Sequence, residues 1–219
     1  MRVILAFLAL CLCLAAGVYG LSRWREEAAA ARVEADIADA HFSYLAAYAR
    51  DDATASGGFT DRLGFVALFP DFSPLTRANP TVAPKRDDDA RKVFVTISLK
   101  DDAIDPAERP NRLYARFLEG EAVAGPGGLV MRRFERDSPY DLEQLYIAPP
   151  DGHSFFARCP KPQAGGSEAC LSLFRLGALD VELRFGAALL EHWEQLDEGA
   201  RAFVQRLRAS PTRPRARAQ

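Results

Sequence analysis

Between Leu142 and Phe185 the chain repeats one pattern, in which a short run of alternating apolar and polar residues meets a turn rich in Pro or Gly and another such run follows. LEQLYIA (Leu142 to Ala148) is joined to HSFFARC (His153 to Cys159) by Pro149-Pro150-Asp151-Gly152, and CLSLFRL (Cys170 to Leu176) to LDVELRF by Gly177-Ala178. Alternation at period two belongs to a strand with one buried and one wet face, and links this short join antiparallel neighbours. Leu179, Val181, Leu183 and Phe185 thus share one face, with Asp180, Glu182 and Arg184 on the other. The Gly177-Ala178 link suits a type II′ turn with glycine at positive φ. The period then changes. Leu189, Leu190, Trp193, Leu196, Ala200, Phe203, Val204 and Leu207 recur at three-to-four spacing, which predicts a helix from about Ala187 to Arg208 with its apolar face on the sheet.

Upstream, RLGFVALF (Arg62 to Phe69) and KVFVTISLK (Lys92 to Lys100) read as further strands, separated by a proline-rich surface loop that carries Asp87-Asp88-Asp89. RLYARFL (Arg112 to Leu118) and LVMRRFE (Leu129 to Glu135) flank EGEAVAGPGG and read as a hairpin with a wide loop. The expected fold class is α+β: an antiparallel meander sheet of about six to eight strands with a closing C-terminal helix packed on it.

Residues 3–21 are 19 consecutive uncharged residues, about 28 Å of helix, which matches the hydrocarbon core of a bilayer. They read as a transmembrane anchor, with Arg23, Trp24 and Arg25 at the interface; signal-peptidase cleavage near Ala15-Ala16-Gly17 or Val18-Tyr19-Gly20 stays open as the alternative. From Trp24 to Arg50 there is no Gly or Pro, and Val33, Ile37, Tyr44, Leu45 and Tyr48 stand at helical spacings. That predicts a helical stalk over 23–50, a single α+β domain over 51–209 and a disordered basic tail over 210–219.

Cys159 and Cys170 bracket PKPQAGGSEA and are the only cysteines outside the apolar run. A cross-hairpin disulfide there would contribute about 3 kcal/mol in the chain-entropy model and would require an oxidising compartment, the bacterial periplasm. The alternative is a pair of buried free thiols. With the disulfide, the expectation is a single-pass inner-membrane protein whose soluble domain lies in the periplasm.

Chemistry-bearing motifs are sparse. Lys+Arg number 28 against 30 Asp+Glu, so no net field gathers nucleic acid. His41, His153 and His192 fall in no zinc spacing, and no G-x-S-x-G elbow is present. Asp101-Asp102-Ala103-Ile104-Asp105 precedes Pro106 and reads as a solvated loop, while Ala124-Gly125-Pro126-Gly127-Gly128 lacks the Lys-Ser/Thr of a phosphate loop. Neither metal nor cofactor is expected, and no catalytic residue is assigned. Arg112, Tyr114, Arg116, Arg132 and Arg133 are the candidate binding residues: on adjacent strands they would form one face for an acidic protein partner. The alternative is a wet sheet face paired with Glu135 or Glu143.

The stretch FFARCPKPQAGGSEACLSLFRLGALDVELRFGAALLEHWEQLDEGARAFVQRL, about a quarter of the chain, resembles the end of small membrane-anchored proteobacterial periplasmic proteins, some of them immunity-protein-like. The features that match are the paired cysteines, the strand ending at Phe185 and Trp193 in the last helix. The resemblance transfers no active site. It implies a membrane-anchored, non-catalytic protein-binding module, of the type that neutralises a toxin; the alternative is an accessory subunit of an envelope complex, joined through its transmembrane helix.

Overall fold

The computed structural model describes residues 31–75, 86–162 and 169–208, together with residues 14, 18–20, 27, 29 and 30 near the N-terminus. The strands among these are β1 (Arg32–Ile37), β2 (Ala40–Leu45), β3 (Gly58–Phe59), β4 (Arg62–Leu68), β5 (Ser73–Pro74), β6 (Lys92–Leu99), β7 (Leu118–Ala124), β8 (Val130–Phe134), β9 (Glu143–Ile147), β10 (Phe156–Pro160), β11 (Ala169–Leu176) and β12 (Leu179–Gly186). The helices are α1 (Asp52–Ser56), α2 (Arg86–Arg91) and α3 (Trp193–Leu207).

Nine strands form one sheet in the order β5-β4-β6-β12-β11-β10-β9-β8-β7, and β2-β1-β3 form a smaller one. The alternation read in the sequence sets the inner face: Leu63, Phe65, Val93, Val95, Ile97, Val181, Leu183 and Phe185 are buried. In the same core lie Leu196, Ala200, Phe203 and Val204 from α3, so the closing helix covers the sheet as its period requires. Its first part, Ala187–His192, is a tighter helical turn that leads into α3. Gly177 takes φ 66° in the β11–β12 turn.

Three expectations are corrected. The helix expected over 23–50 is, from Arg32 onward, the β1–β2 hairpin. Val33, Ala35 and Ile37 alternate just as well as they recur helically, and burying Ala35, Ile37, Phe42 and Tyr44 in the main core outweighs the weak helix preference of an Ala-rich run. The outward positions of this hairpin are polar: His41 lies 2.6 Å from Asp36 and 3.0 Å from Glu34. The same core therefore takes in residues before position 51.

Second, residues 110–117 form helical turns instead of a strand, and β7 starts only at Leu118. Leu113, Tyr114 and Phe117 stand at spacings of one and four, and in helical turns they reach one surface together. There they cover Phe134, Leu145 and Phe156 in a second apolar cluster on the outer side of the sheet.

The third correction concerns the loop from Pro70 to Arg91, which closes with the short helix α2 before β6. Residues 76–85 and 210–219 lie outside the described residues, as do residues 3–21 except for 14 and 18–20. No helix among the described residues is long and apolar enough to cross a membrane.

The large sheet has a seam. β10 and β11 pair only at Arg158 and Leu171, beside the Cys159–Cys170 disulfide, and toward the other end of β11 a cleft of about 610 Å³ opens between Phe156 and Leu173. The cross-link read from cysteine spacing thus holds the two halves of the sheet where few ladder hydrogen bonds do.

Candidate functional site

The five candidate binding residues do not form one face. Arg112 and Arg116 are exposed, but on the helical turns; the Arg116 guanidinium stacks 4.7 Å from the Phe117 ring. Tyr114 is only 2% exposed and its ring meets Phe134 and Tyr140 edge-on, so it belongs to the second core and not to a surface. Burial raises its phenol pKa above the usual value. Arg132 and Arg133 are consecutive on β8, and consecutive strand residues point to opposite faces. Arg132 Nη2 donates to the Glu119 carbonyl at 2.7 Å, whereas Arg133 lies 3.7 Å from Glu121. An arginine that sequence reasoning passed over, Arg158, takes the central place: it lies 4.9 Å from the Tyr140 ring, 5.3 Å from the Tyr114 ring and 3.0 Å from Glu143.

A groove lies instead on the outer face of β4, β6 and β12, beyond the cover of the second cluster. Its floor follows from the register: Arg62, Ser98 and Asp180 lie in one row across the three strands, and Gly64, Thr96 and Glu182 in the next. Arg50 and Asp51 line one side and Asp101, Pro106 and Arg109 another, around a groove of about 620 Å³. The Arg50-Asp51 wall is fixed to the floor. Asp51 Oδ1 accepts from the Thr54 amide at 2.8 Å, the Thr54 hydroxyl accepts from the Gly64 amide at 2.9 Å, and the Arg50 amide donates to the Gly64 carbonyl at 2.9 Å. A Cβ at position 64 would stand 2.6 Å from Asp51 Oδ2, so a larger residue there would push the Asp51 carboxylate aside.

Carboxylates in and around the groove are mostly paired. Arg175 lies 2.6 Å from Asp180, 3.3 Å from Asp105 and 3.9 Å from Asp101, so two of the three aspartates of the Asp101–Asp105 stretch gather around a guanidinium and are not simply solvated. Glu182 pairs with Arg184 at 2.7 Å. Among the described residues no group of three or more His, Cys, Asp or Glu is placed to hold a metal ion. Arg50, Arg62 and Arg109 have no carboxylate partner among the described residues. The Arg50 guanidinium lies 5.4 Å from the Phe94 ring, and Arg109 Nε donates to the Ile104 carbonyl at 3.2 Å. The sequence signal for this surface was the wet face of β12, Asp180-x-Glu182-x-Arg184; that Arg50 and Arg109 border it depends on contacts far apart in the chain.

No protein-family model matches the chain, and no curated protein matches it significantly. Among solved structures, Smlt3025, an immunity protein of the Stenotrophomonas maltophilia type IV secretion system, superposes with a TM-score of 0.59. The match covers 83% of this chain and 94% of that one at 20% identity. The two share a fold. FrpD, an iron-regulated outer membrane lipoprotein of Neisseria meningitidis, gives a TM-score of 0.46 at 10% identity over 81% of this chain and 94% of its own.

Proposed function

We propose that this chain is a non-catalytic protein-binding module of the immunity type, which engages a toxin protein in the bacterial periplasm while residues 3–21 hold it at the inner membrane. The observation that carries the reading is the fold shared with Smlt3025 across nearly the whole of that protein. The Cys159–Cys170 disulfide supports an oxidising compartment. A binding role is supported by the build of the groove: Asp180 is held by Arg175, Glu182 by Arg184 and Asp51 by the Thr54 amide, which stiffens the surface.

The test has two steps. Tagged full-length protein is used to capture a partner from its own bacterium, and the partner is then exported into the periplasm of a laboratory strain. Growth arrest that is relieved by co-expressing the full chain supports the reading. Failure to find any captured protein with such toxicity overturns it.

A further inference from the structure

Resting on that reading, we propose that the groove over β4, β6 and β12 receives an extended, carboxylate-bearing segment of the protein partner, gripped by Arg50, Arg62 and Arg109. The groove is lined by four arginines and four carboxylates, Arg50, Arg62, Arg109 and Arg184 against Asp51, Asp101, Asp180 and Glu182. These cancel formally, but of the eight only Arg184 and Glu182 pair with each other among the described residues. Arg175, adjoining the groove, pairs closely with Asp180 and reaches Asp101 at 3.9 Å, and Arg184 pairs with Glu182. Asp51 caps α1. That leaves three guanidiniums, those of Arg50, Arg62 and Arg109, lining one depression with no carboxylate within ion-pair distance among the described residues.

Arg50 and Arg109 are also partly ordered in advance. Arg50 rests near the Phe94 ring, and Arg109 is tied to the Ile104 carbonyl. Arg62 stands in register with Ser98 on the floor. A planar guanidinium so held keeps its remaining N–H groups in the fork that matches a carboxylate, and less side-chain entropy is lost on binding. Three adjacent strands make a floor about 10 Å across, the width of one extended chain. Between the arginines, the hydroxyls of Thr96 and Ser98 offer neutral hydrogen bonds to a peptide backbone. Asp51 and Asp101 on the rim disfavour a continuous polyphosphate, so the occupant is an acidic peptide segment and not a nucleic acid.

The full chain, isotopically labelled and kept in an uncharged detergent, is titrated with a short peptide that alternates Glu and Gly, with the Gln/Gly counterpart, and with a single-stranded oligonucleotide. Arginine Nε–Hε resonances are followed by NMR. The acidic peptide should shift Arg50, Arg62 and Arg109 saturably, leave Arg112, Arg116 and Arg133 in place, and bind roughly tenfold or more weakly to the Arg50→Glu/Arg62→Glu protein, as lost charge pairs do in other interfaces. An equal response to the Gln/Gly peptide, an equal response at Arg112, Arg116 and Arg133, or preference for the oligonucleotide overturns the proposal. Where Arg50→Glu disturbs the fold, Arg62→Glu alone carries the comparison, since its side chain has no hydrogen-bond or ion-pair partner among the described residues. With a toxic partner in hand, the double variant should lose both capture and protection. If it keeps both, the groove assignment falls while the immunity reading stands; if the wild-type chain captures no toxic partner, the immunity reading falls and the peptide titration decides the groove.

Discussion

Arg175 and Asp180 face each other across the β11–β12 turn in a two-pronged ion pair, with Nε 2.6 Å from Oδ1 and Nη2 2.9 Å from Oδ2. Their side chains are 19% and 13% exposed, so the pair lies largely out of water. The bond to Asp180 raises the Arg175 pKa still further, against the opposing effect of burial. Through Asp101 and Asp105 the same guanidinium ties the 101–105 loop to the sheet beside the groove.

Arg175→Ala should therefore lose about 2–3 kcal/mol, since it leaves a half-buried carboxylate without its counterion. Asp101→Asn, at an exposed and longer contact, should stay within about 0.5 kcal/mol of wild type. Urea unfolding of both variants is the check. Equal losses would mean that the Asp180 pair is not the anchor.

Replacing Cys159 and Cys170 together by Ser should cost about 3 kcal/mol, by the loop-closure entropy of a short cross-link. Because the sulfurs bridge the seam of the large sheet, amide exchange should accelerate first in β10 and β11 and leave β4–β6 protected. Uniform acceleration over the sheet would contradict a localised role.

Trp193 is half-buried, at the start of α3, and not in the middle of its buried face as the spacing suggests. Its Nε1 donates to the Gly127 carbonyl at 2.9 Å and its ring lies 5.1 Å from that of Phe155. Trp193→Ala should cost about 2 kcal/mol, below the ~3–5 of a fully buried tryptophan, and Trp193→Phe about 1 kcal/mol for the hydrogen bond. Gly127 holds φ 59°, and a Cβ there would approach the carbonyl oxygens of Leu190 and Glu191 at 2.8 Å. Gly127→Ala should thus destabilise by about 1–3 kcal/mol. A Gly127→Ala protein that melts like wild type would rule out this close packing.

Tyr44 donates its hydroxyl to the Thr54 carbonyl at 2.7 Å, and burial, reinforced by Asp51 and Glu34, pushes its pKa up to about 12. The folded state keeps the proton more tightly than the unfolded chain, whose phenol titrates near 10. The stabilisation is complete below pH 10 and is lost as the pH rises toward 12. Tyr44→Phe should cost about 1 kcal/mol at neutral pH and should lessen the loss of stability over that alkaline window. Denaturation curves at pH 7, 10 and 11.5 test both halves; an unchanged alkaline slope would assign the effect elsewhere.

What sequence alone determined was whatever depends on near neighbours in the chain. Val93, Val95 and Ile97, and Leu179 through Phe185, state their buried face by alternation, and Leu196, Ala200, Phe203 and Val204 state theirs by helical spacing, because local geometry sets which side chains share a side. Cys159 and Cys170 pair across a loop short enough to read directly. Where two periods fitted the same residues, the global core decided. Val33 to Tyr44 suit a helix or a hairpin, and became a hairpin because only that form buries Ala35, Ile37, Phe42 and Tyr44 against β4 and α3. Likewise 110–117 curl into helical turns because the outer sides of Phe134, Leu145 and Phe156 need a cover. The wet face of β12 was legible as alternation, but the groove around it belongs to tertiary structure. Arg62, Arg109 and Arg184 are separated by long stretches of chain, no local rule links them or Arg50, and the sheet order β4-β6-β12 with the returning 101–109 segment is what sets them around one floor.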